Sequence, residues 1–389
     1  MTDQVPGARE LPFPSSEYEG RAARLRAGMD AAGVNLLLLH TPEPIYYLTG
    51  HQTVGTWGYQ CLLFPRRGEP ALVVRFMEQA IARLTSRVTD IVTYDDEEDP
   101  TAATARAVRE RGWSRGTVGV EEGRAGLTVR QHRQLGAALP EARLADGTAI
   151  GEKVRLVKSL AEIEVIRQAA RATERGMEAA VAAIAEGRTE NDVAAAAARA
   201  MIEAGSEHMA TQPFVTSGER SGVGHTTYRR RVLRRGDAVL LELCAGIHRY
   251  GAPLMRSACL GPPPDAVRRL AEVCLAGLEA AIAAIRPGVT SGEVDQACAG
   301  LIARAGFAEN FRKRTGYSVG VGFPPSWGEG HIVSLQRNDP TVLEPGMVFH
   351  IPPALRDYGR VGVGISETVL VTPSGCEVIT KFDRTLFVR

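Results

Sequence analysis

The sequence predicts two domains: a small α/β domain over residues 1–150 and an α+β domain over residues 151–389 that carries a pseudo-twofold repeat. Three observations predict this. Short apolar runs alternate with helical stretches through the first part of the chain. Around Ala145-Asp146-Gly147-Thr148 that pattern gives way to long, Ala-rich amphipathic stretches. In this second region a helix start and a glycine-led hairpin signal occur twice.

The elements follow in order. Glu17 to Gly33 sets charged residues against Ala, Leu and Met at helical spacing, with Ser15 or Ser16 as the expected N-cap. Asn35-Leu36-Leu37-Leu38-Leu39-His40 is a continuous apolar run, as in a strand covered on both faces. Cys61-Leu62-Leu63-Phe64 and Ala71-Leu72-Val73-Val74 read as two strands around a Pro-Arg-Arg-Gly-Glu-Pro turn. Ile91 to Tyr94 and Thr117 to Glu121 are further strand-like runs among helical stretches. Ser159-Leu160-Ala161-Glu162 then has capping-box spacing before a long amphipathic helix.

The duplication is read from matched signals. Gly187-Arg188-Thr189-Glu190-Asn191-Asp192 starts one helix and Gly288-Val289-Thr290-Ser291-Gly292-Glu293 another. Gly224-His225 precedes Gly236 and an apolar strand; Gly330-His331 precedes Gly346 and a second one. Six residues beyond those two hairpin glycines stand Glu242 and Pro352. A duplicated helix-plus-hairpin unit would pack its two sheets around a shared cleft.

Composition narrows the partners. The 389 residues have 44% apolar and 23% charged side chains and a net charge of +1. That balance offers no electrostatic footprint for nucleic acid or an anionic membrane. The six cysteines are scattered without a CxxC pair, which points to reduced thiols and a cytoplasmic protein. Met1 to Pro14 is polar and lacks the apolar core of a signal peptide. No apolar run approaches the roughly 18 residues of a membrane span.

Four stretches carry a family resemblance: Val154-Arg155-Leu156-Val157-Lys158-Ser159, Gly236 to Leu243, Leu343-Glu344-Pro345-Gly346-Met347-Val348-Phe349 and Glu367 to Thr372. They resemble the pita-bread fold of the creatinase/prolidase (aminopeptidase P-like) superfamily, and Tyr46-Tyr47-Leu48-Thr49-Gly50 resembles the first domain of those proteins. The run Arg314 to Glu329, with Ala252-Pro253-Leu254-Met255-Arg256-Ser257 and Met347-Val348-Phe349-His350, is similar to the ectoine-hydrolase branch. Metallopeptidases of the fold use two Asp, one His and two Glu to hold two divalent ions. Matched motif by motif, those positions here read Glu242, Pro253, Tyr317, Pro352 and Ser366. Proline has no side-chain lone pair, so the resemblance implies neither a dinuclear centre nor any other cofactor. No HxH or HxxxH spacing supports a residual single-metal site.

The resemblance implies a metal-independent hydrolase acting on a C–N bond of a small cyclic or amidine-like amino-acid derivative. His225 occupies the position of the creatinase catalytic histidine, and imidazole can take and return a proton near neutral pH. Glu242 keeps a carboxylate where the first ligand stood; a pairing with Arg256 is the alternative. Tyr317 is expected to orient the substrate and Glu329 to hold its cationic group. His331, His350 and Glu367 are further substrate-facing candidates, as are Trp327 and Met255, the latter where creatinase has a catalytic Glu. His350 reads equally as a core histidine, Glu367 as an ion pair and Trp327 as packing. The family further implies a homodimer whose first domain reaches the partner's site, which makes Trp57, Tyr59 and Arg75 candidate covering groups. The chain departs from the ectoine-hydrolase pattern near Gly364 and at Glu329-Gly330-His331, where acidic groups suited to a positively charged ring are missing; a less cationic or larger substrate is then expected. Three other readings stay open: a lyase, dehydratase or cyclase on the same scaffold, a non-enzymatic peptide-binding module, and an Xaa-Pro metallodipeptidase.

Overall fold

A computed structural model describes residues 9–389, and the first eight residues of the polar leader lie outside it. The chain divides into two compact units between Arg155 and Leu156. Among the described residues no helix is long and apolar enough to cross a membrane.

The first unit is a six-stranded mixed sheet with helices. In spatial order its strands are Asp90–Tyr94, Ala71–Arg75, Cys61–Pro65, Leu36–Leu39, Gly116–Val120 and Ala142–Asp146. The four leucines of Leu36–Leu39 are fully buried, as expected of a central strand covered on both faces. That strand pairs antiparallel with Cys61–Pro65 and parallel with Gly116–Val120. Ala142–Asp146 is a strand the sequence hides, because its residues at the sheet edge are only half-buried or exposed. The first helix spans Ser15–Ala32, and Pro14 rather than a serine holds its N-cap position, without a side-chain cap bond. Ser15 is already inside the first turn, so neither serine caps it.

The second unit carries the duplication as paired hydrogen bonds. Helix Leu160–Ala183 opens with a complete Ser159/Glu162 capping box. The next helix, Glu190–Glu203, has a Thr189/Asp192 box, and its counterpart Ser291–Arg304 a Thr290/Glu293 box. Thr189 bridges to Val232 in one half and Thr290 to Val342 in the other. Gly187 N–H donates to Leu233 carbonyl, and Gly288 N–H to Leu343 carbonyl. Gly187, Gly288, Gly236 and Gly346 all have φ between 80° and 93°, a left-handed region where glycine escapes the Cβ penalty.

Each half has its own core. Met177, Val193, Ala197 and Met201 pack under the first helix pair against Val239, Leu241 and Leu243. Cys274, Leu278, Val294 and Ile302 pack under the second pair against Phe349, Ile351 and Val369. The first half's strands Phe214–Ser217, Ala238–Leu243, Leu254–Cys259 and Leu386–Val388 form one sheet. The second half's sheet is centred on Gly316–Phe323, Val348–Ile351 and Glu367–Thr372. Strand alternation then decides what faces inward between them: with Val239, Leu241 and Leu243 in the core, Leu240 and Glu242 point to the opposite face.

Candidate active site

That opposite face borders a cavity of about 350 Å³, a size suited to a small molecule. Glu242 enters it from the middle of its sheet, in register with Phe214 on one side and Met255 on the other. Phe214, Leu240 and Met255 give that wall an apolar surface. His225 contributes from the loop after the short 3₁₀ turn Gly218–Gly222, with φ 54°. A non-glycine residue in this region is held there by its surroundings and often marks a functional loop. Tyr317, Pro352 and Arg356 line the second half's side, and Lys313 and Arg314 line the cavity just before the strand that carries Tyr317.

The charges are arranged unusually. Glu242, Lys313 and Arg356 all border the cavity, and none of their side chains makes an ion pair or hydrogen bond among the described residues. They still feel one another's field. Burial raises the Glu242 carboxyl above its usual range, opposed by Lys313 and Arg356. Burial lowers the Lys313 ammonium to about 8, opposed by Glu242 and aided by Arg356. The Arg356 Nε is a buried donor with no partner. Arg314 is better satisfied, donating to Ser334 Oγ at 3.0 Å and lying 4.8 Å from the Tyr317 ring centre.

Tyr317 lines the cavity, but its hydroxyl is engaged. Trp327 Nε1 donates to it at 2.9 Å, and it lies 2.9 Å from His350 Nδ1. His350 Nε2 sits 2.7 Å from Ser366 Oγ, which accepts from the Met255 amide at 2.6 Å. The consistent assignment has Tyr317 O–H donating to Nδ1 and a neutral imidazole donating from Nε2. Burial, with Lys313 and Arg256 nearby, keeps His350 well below its ordinary pKa and so neutral. This corrects two expectations: the Tyr317 proton is committed inside the protein rather than to a substrate, and His350 stands behind Tyr317 as a core histidine. Trp327 is buried and holds Tyr317 rather than lining the cavity.

Other expected substrate contacts are structural. Glu329 is fully buried in an ion pair with Lys158 Nζ at 2.9 Å, so no cationic ligand can reach it. Glu367 accepts from Arg256 Nη2 at 2.7 Å and Arg384 Nε at 2.9 Å. Arg256 is thereby taken, and the expected alternative of a Glu242–Arg256 pair is not formed. His331 is exposed and does not border the cavity. In the first unit Trp57 is 82% exposed. The Tyr59 hydroxyl is bonded to Thr104 Oγ at 2.9 Å, and Arg75 is held by Asp96, which leaves Trp57 as the open candidate of the three. Of the substrate-facing set, His225, Glu242, Tyr317 and Met255 do meet at one cavity.

Sequence reasoning missed Lys313 and Arg356. Arg312-Lys313-Arg314 has the look of a solvated basic run, and only its position beside the Tyr317 strand brings Lys313 inward. Arg356 was legible in principle: it lies two residues beyond Ala354 in strand Ala354–Asp357, on the face opposite the core residue Leu355.

A dinuclear metal centre does not fit these residues. Pro253 and Pro352 offer no side-chain donor, Ser366 Oγ is occupied by His350 and the Met255 amide, and the Tyr317 hydroxyl is committed. Glu242 alone remains as an acidic donor at those positions, and the described residues contain no group of three His, Cys, Asp or Glu arranged for a metal.

The two units and the duplicated second half define a pita-bread protein of the creatinase/prolidase type. The chain belongs to metallopeptidase family M24: residues 164–373 match that family, and residues 21–157 match the creatinase/prolidase N-terminal domain. It is 31% identical over 97% of its length to ectoine hydrolase of Halomonas elongata, covering 99% of that protein. It is 27% identical to the Xaa-Pro dipeptidase of Pyrococcus furiosus, over 94% of this chain and 99% of that one. The crystal structure of dipeptidase PepE from Mycobacterium ulcerans superposes with a TM-score of 0.83 at 27% identity, covering 98% of this chain and 99% of that one. The chain is thus of a hydrolase family whose relatives include a non-peptide hydrolase and peptidases.

Proposed function

We propose that this protein is a metal-independent hydrolase that opens a C–N bond in a small cyclic or amidine-like amino-acid derivative. The observation that carries the reading is the cavity itself, which keeps His225 and Glu242 where the other ligand positions have lost their donors. The whole-length similarity to an ectoine hydrolase supports it.

In this mechanism His225 accepts a proton from water as the water oxygen bonds to the electrophilic carbon. The C–N bond then breaks, and His225 returns the proton to the departing nitrogen. Glu242, in its apolar wall, polarises the reacting group; its raised pKa lets it hold a proton longer than an exposed glutamate would. The strand pair that carries Glu242 and Met255 and the Tyr317–His350–Ser366 chain fix the walls on either side. We extend the reading to a homodimer in which Trp57, beside the exposed Val54, Phe76 and Met77, covers the cavity of a second copy.

The test uses purified protein, a panel of cyclic and N-acylated amino acids, and ¹⁸O-labelled water. The expected product carries labelled oxygen, chelator treatment leaves turnover unchanged, and His225→Ala loses at least about a hundredfold in kcat, the low end for general acid–base catalysis. Activity of His225→Ala within a few-fold of the wild type removes His225 from the mechanism. An unlabelled product replaces hydrolysis by elimination or ring closure, and loss of turnover on chelation restores a metal.

A further inference from the structure

The unpaired charges in the cavity do not cancel. Glu242 contributes one negative charge, and Lys313 and Arg356 two positive ones. Glu242 feels the field of both Lys313 and Arg356, so one carboxylate is shared between two cations and one positive charge is left over. Arg356 is also the group with an orphaned buried donor, its Nε. A buried guanidinium N–H without an acceptor is costly, and an Arg fork is shaped for a planar two-oxygen acceptor. Arg314 at the same wall adds to the positive field, although its own bonds go to Ser334 and the Tyr317 ring. On the other side Phe214, Leu240 and Met255 surround Glu242 with apolar surface, which suits an uncharged group.

We infer that Lys313 and Arg356 form a carboxylate-binding subsite, and that the substrate is a net monoanion: a carboxylate joined to an uncharged C–N group such as a lactam, an N-acyl amide or a ureide. The inference rests on the C–N hydrolase reading for the bond that breaks, and it replaces the amidine-like part of that class with C–N groups that carry no charge, cyclic or open-chain. A balanced zwitterion would leave Glu242, Lys313 and Arg356 with one positive charge in excess, and a cation would leave two; Arg314 at the same wall adds one more in either case. A monoanion brings the sum over Glu242, Lys313 and Arg356 to zero, the favoured state for charges withdrawn from water. The carboxylate then lies between Lys313 and Arg356 and satisfies the Arg356 Nε, while the neutral C–N group faces Glu242 and His225.

The test is calorimetric titration of the full-length protein at pH 7 with matched probes: N-acetylalanine against N-acetylalaninamide, and 5-oxoproline against its carboxamide, with ectoine as the zwitterion. Each carboxylate is expected to bind at least about tenfold more tightly than its amide and than ectoine. Arg356→Gln is expected to erase that preference and Lys313→Met to reduce it, each with a melting temperature near that of the wild type. No preference in the wild type, or no carboxylate binding up to about 10 mM, overturns the subsite. So does a full preference retained in both variants. Preferential binding without hydrolysis keeps the subsite and removes the hydrolase; hydrolysis of ectoine without any carboxylate preference does the reverse.

Discussion

Glu367→Gln separates a structural carboxylate from a substrate-binding one, because both roles were open for this residue in the sequence. Glu367 and Arg256 are both almost fully buried and joined at 2.7 Å, and Arg384 and Thr380 also donate to the same carboxylate. Removing one partner of a buried pair leaves an uncompensated charge and costs about 3–5 kcal/mol. The lower end applies here. Arg256 keeps backbone acceptors at Met255, Ser366, Phe382 and Asp383, and a glutamine oxygen still accepts one bond. A loss of about 3 kcal/mol in a unit of this size corresponds to a fall of roughly 6–12 °C in melting temperature. Differential scanning calorimetry of the purified variant reads that fall, and Arg256→Met with Glu367→Leu should recover most of it, since apolar replacement of both partners removes the stranded charge. A melting temperature within about 2 °C of the wild type, with a raised KM, would return Glu367 to the substrate.

Three further outcomes follow from the same geometry. Glu329→Gln strands buried Lys158 and is expected to destabilise by about 3 kcal/mol in urea unfolding, whereas a purely substrate-binding Glu329 would leave the midpoint unmoved. Tyr317→Phe removes the acceptor of Trp327 and the donor to His350, and is expected to cost about 1–3 kcal/mol in the same assay. Affinity for a carboxylate probe is expected to be flat below pH 8 and to fall as pH rises through about 8, because Lys313, lowered to about 8 by burial, loses its charge there. Glu242, Arg356, Cys274 and Arg314 are the other groups that act on it. Lys313→Arg stays charged and should flatten that profile; an unchanged fall in this variant would assign the titration to another group.

The fold was largely legible because its signals are local. The Ser159/Glu162, Thr189/Asp192 and Thr290/Glu293 boxes each close within four residues, and the four repeat glycines mark backbone that other residues resist. The edge strand Ala142–Asp146 was hidden because an edge needs no apolar run. The site was less legible, since it depends on which charges find partners. Glu329 and Glu367 look like cleft carboxylates from their places in the motifs. Their partners Lys158 and Arg256 lie 171 and 111 residues away in the chain, and no local pattern announces those pairs. Lys313 and Arg356 show the converse: ordinary surface cations in the sequence, they become the unpaired ones when the sheets close around Glu242.

The substituted ligand positions therefore change the source of charge in the cleft rather than remove charge from it. In metallopeptidases of the fold, carboxylates gather divalent cations, which act on the reacting carbonyl. Here proline, tyrosine and serine stand at four of the five positions, and the positive charge is carried by side chains on a different part of the wall. Such cations hold a remote carboxylate well but do not replace a Lewis acid at the carbon that reacts. Binding energy at Arg356 and Lys313 can then be used to place an uncharged C–N group against His225 and Glu242. On this argument a substrate lacking its carboxylate should lose kcat as well as affinity, which steady-state kinetics on an amide-capped substrate would register. A loss confined to KM would mean that the cationic wall only captures the ligand and takes no part in positioning it.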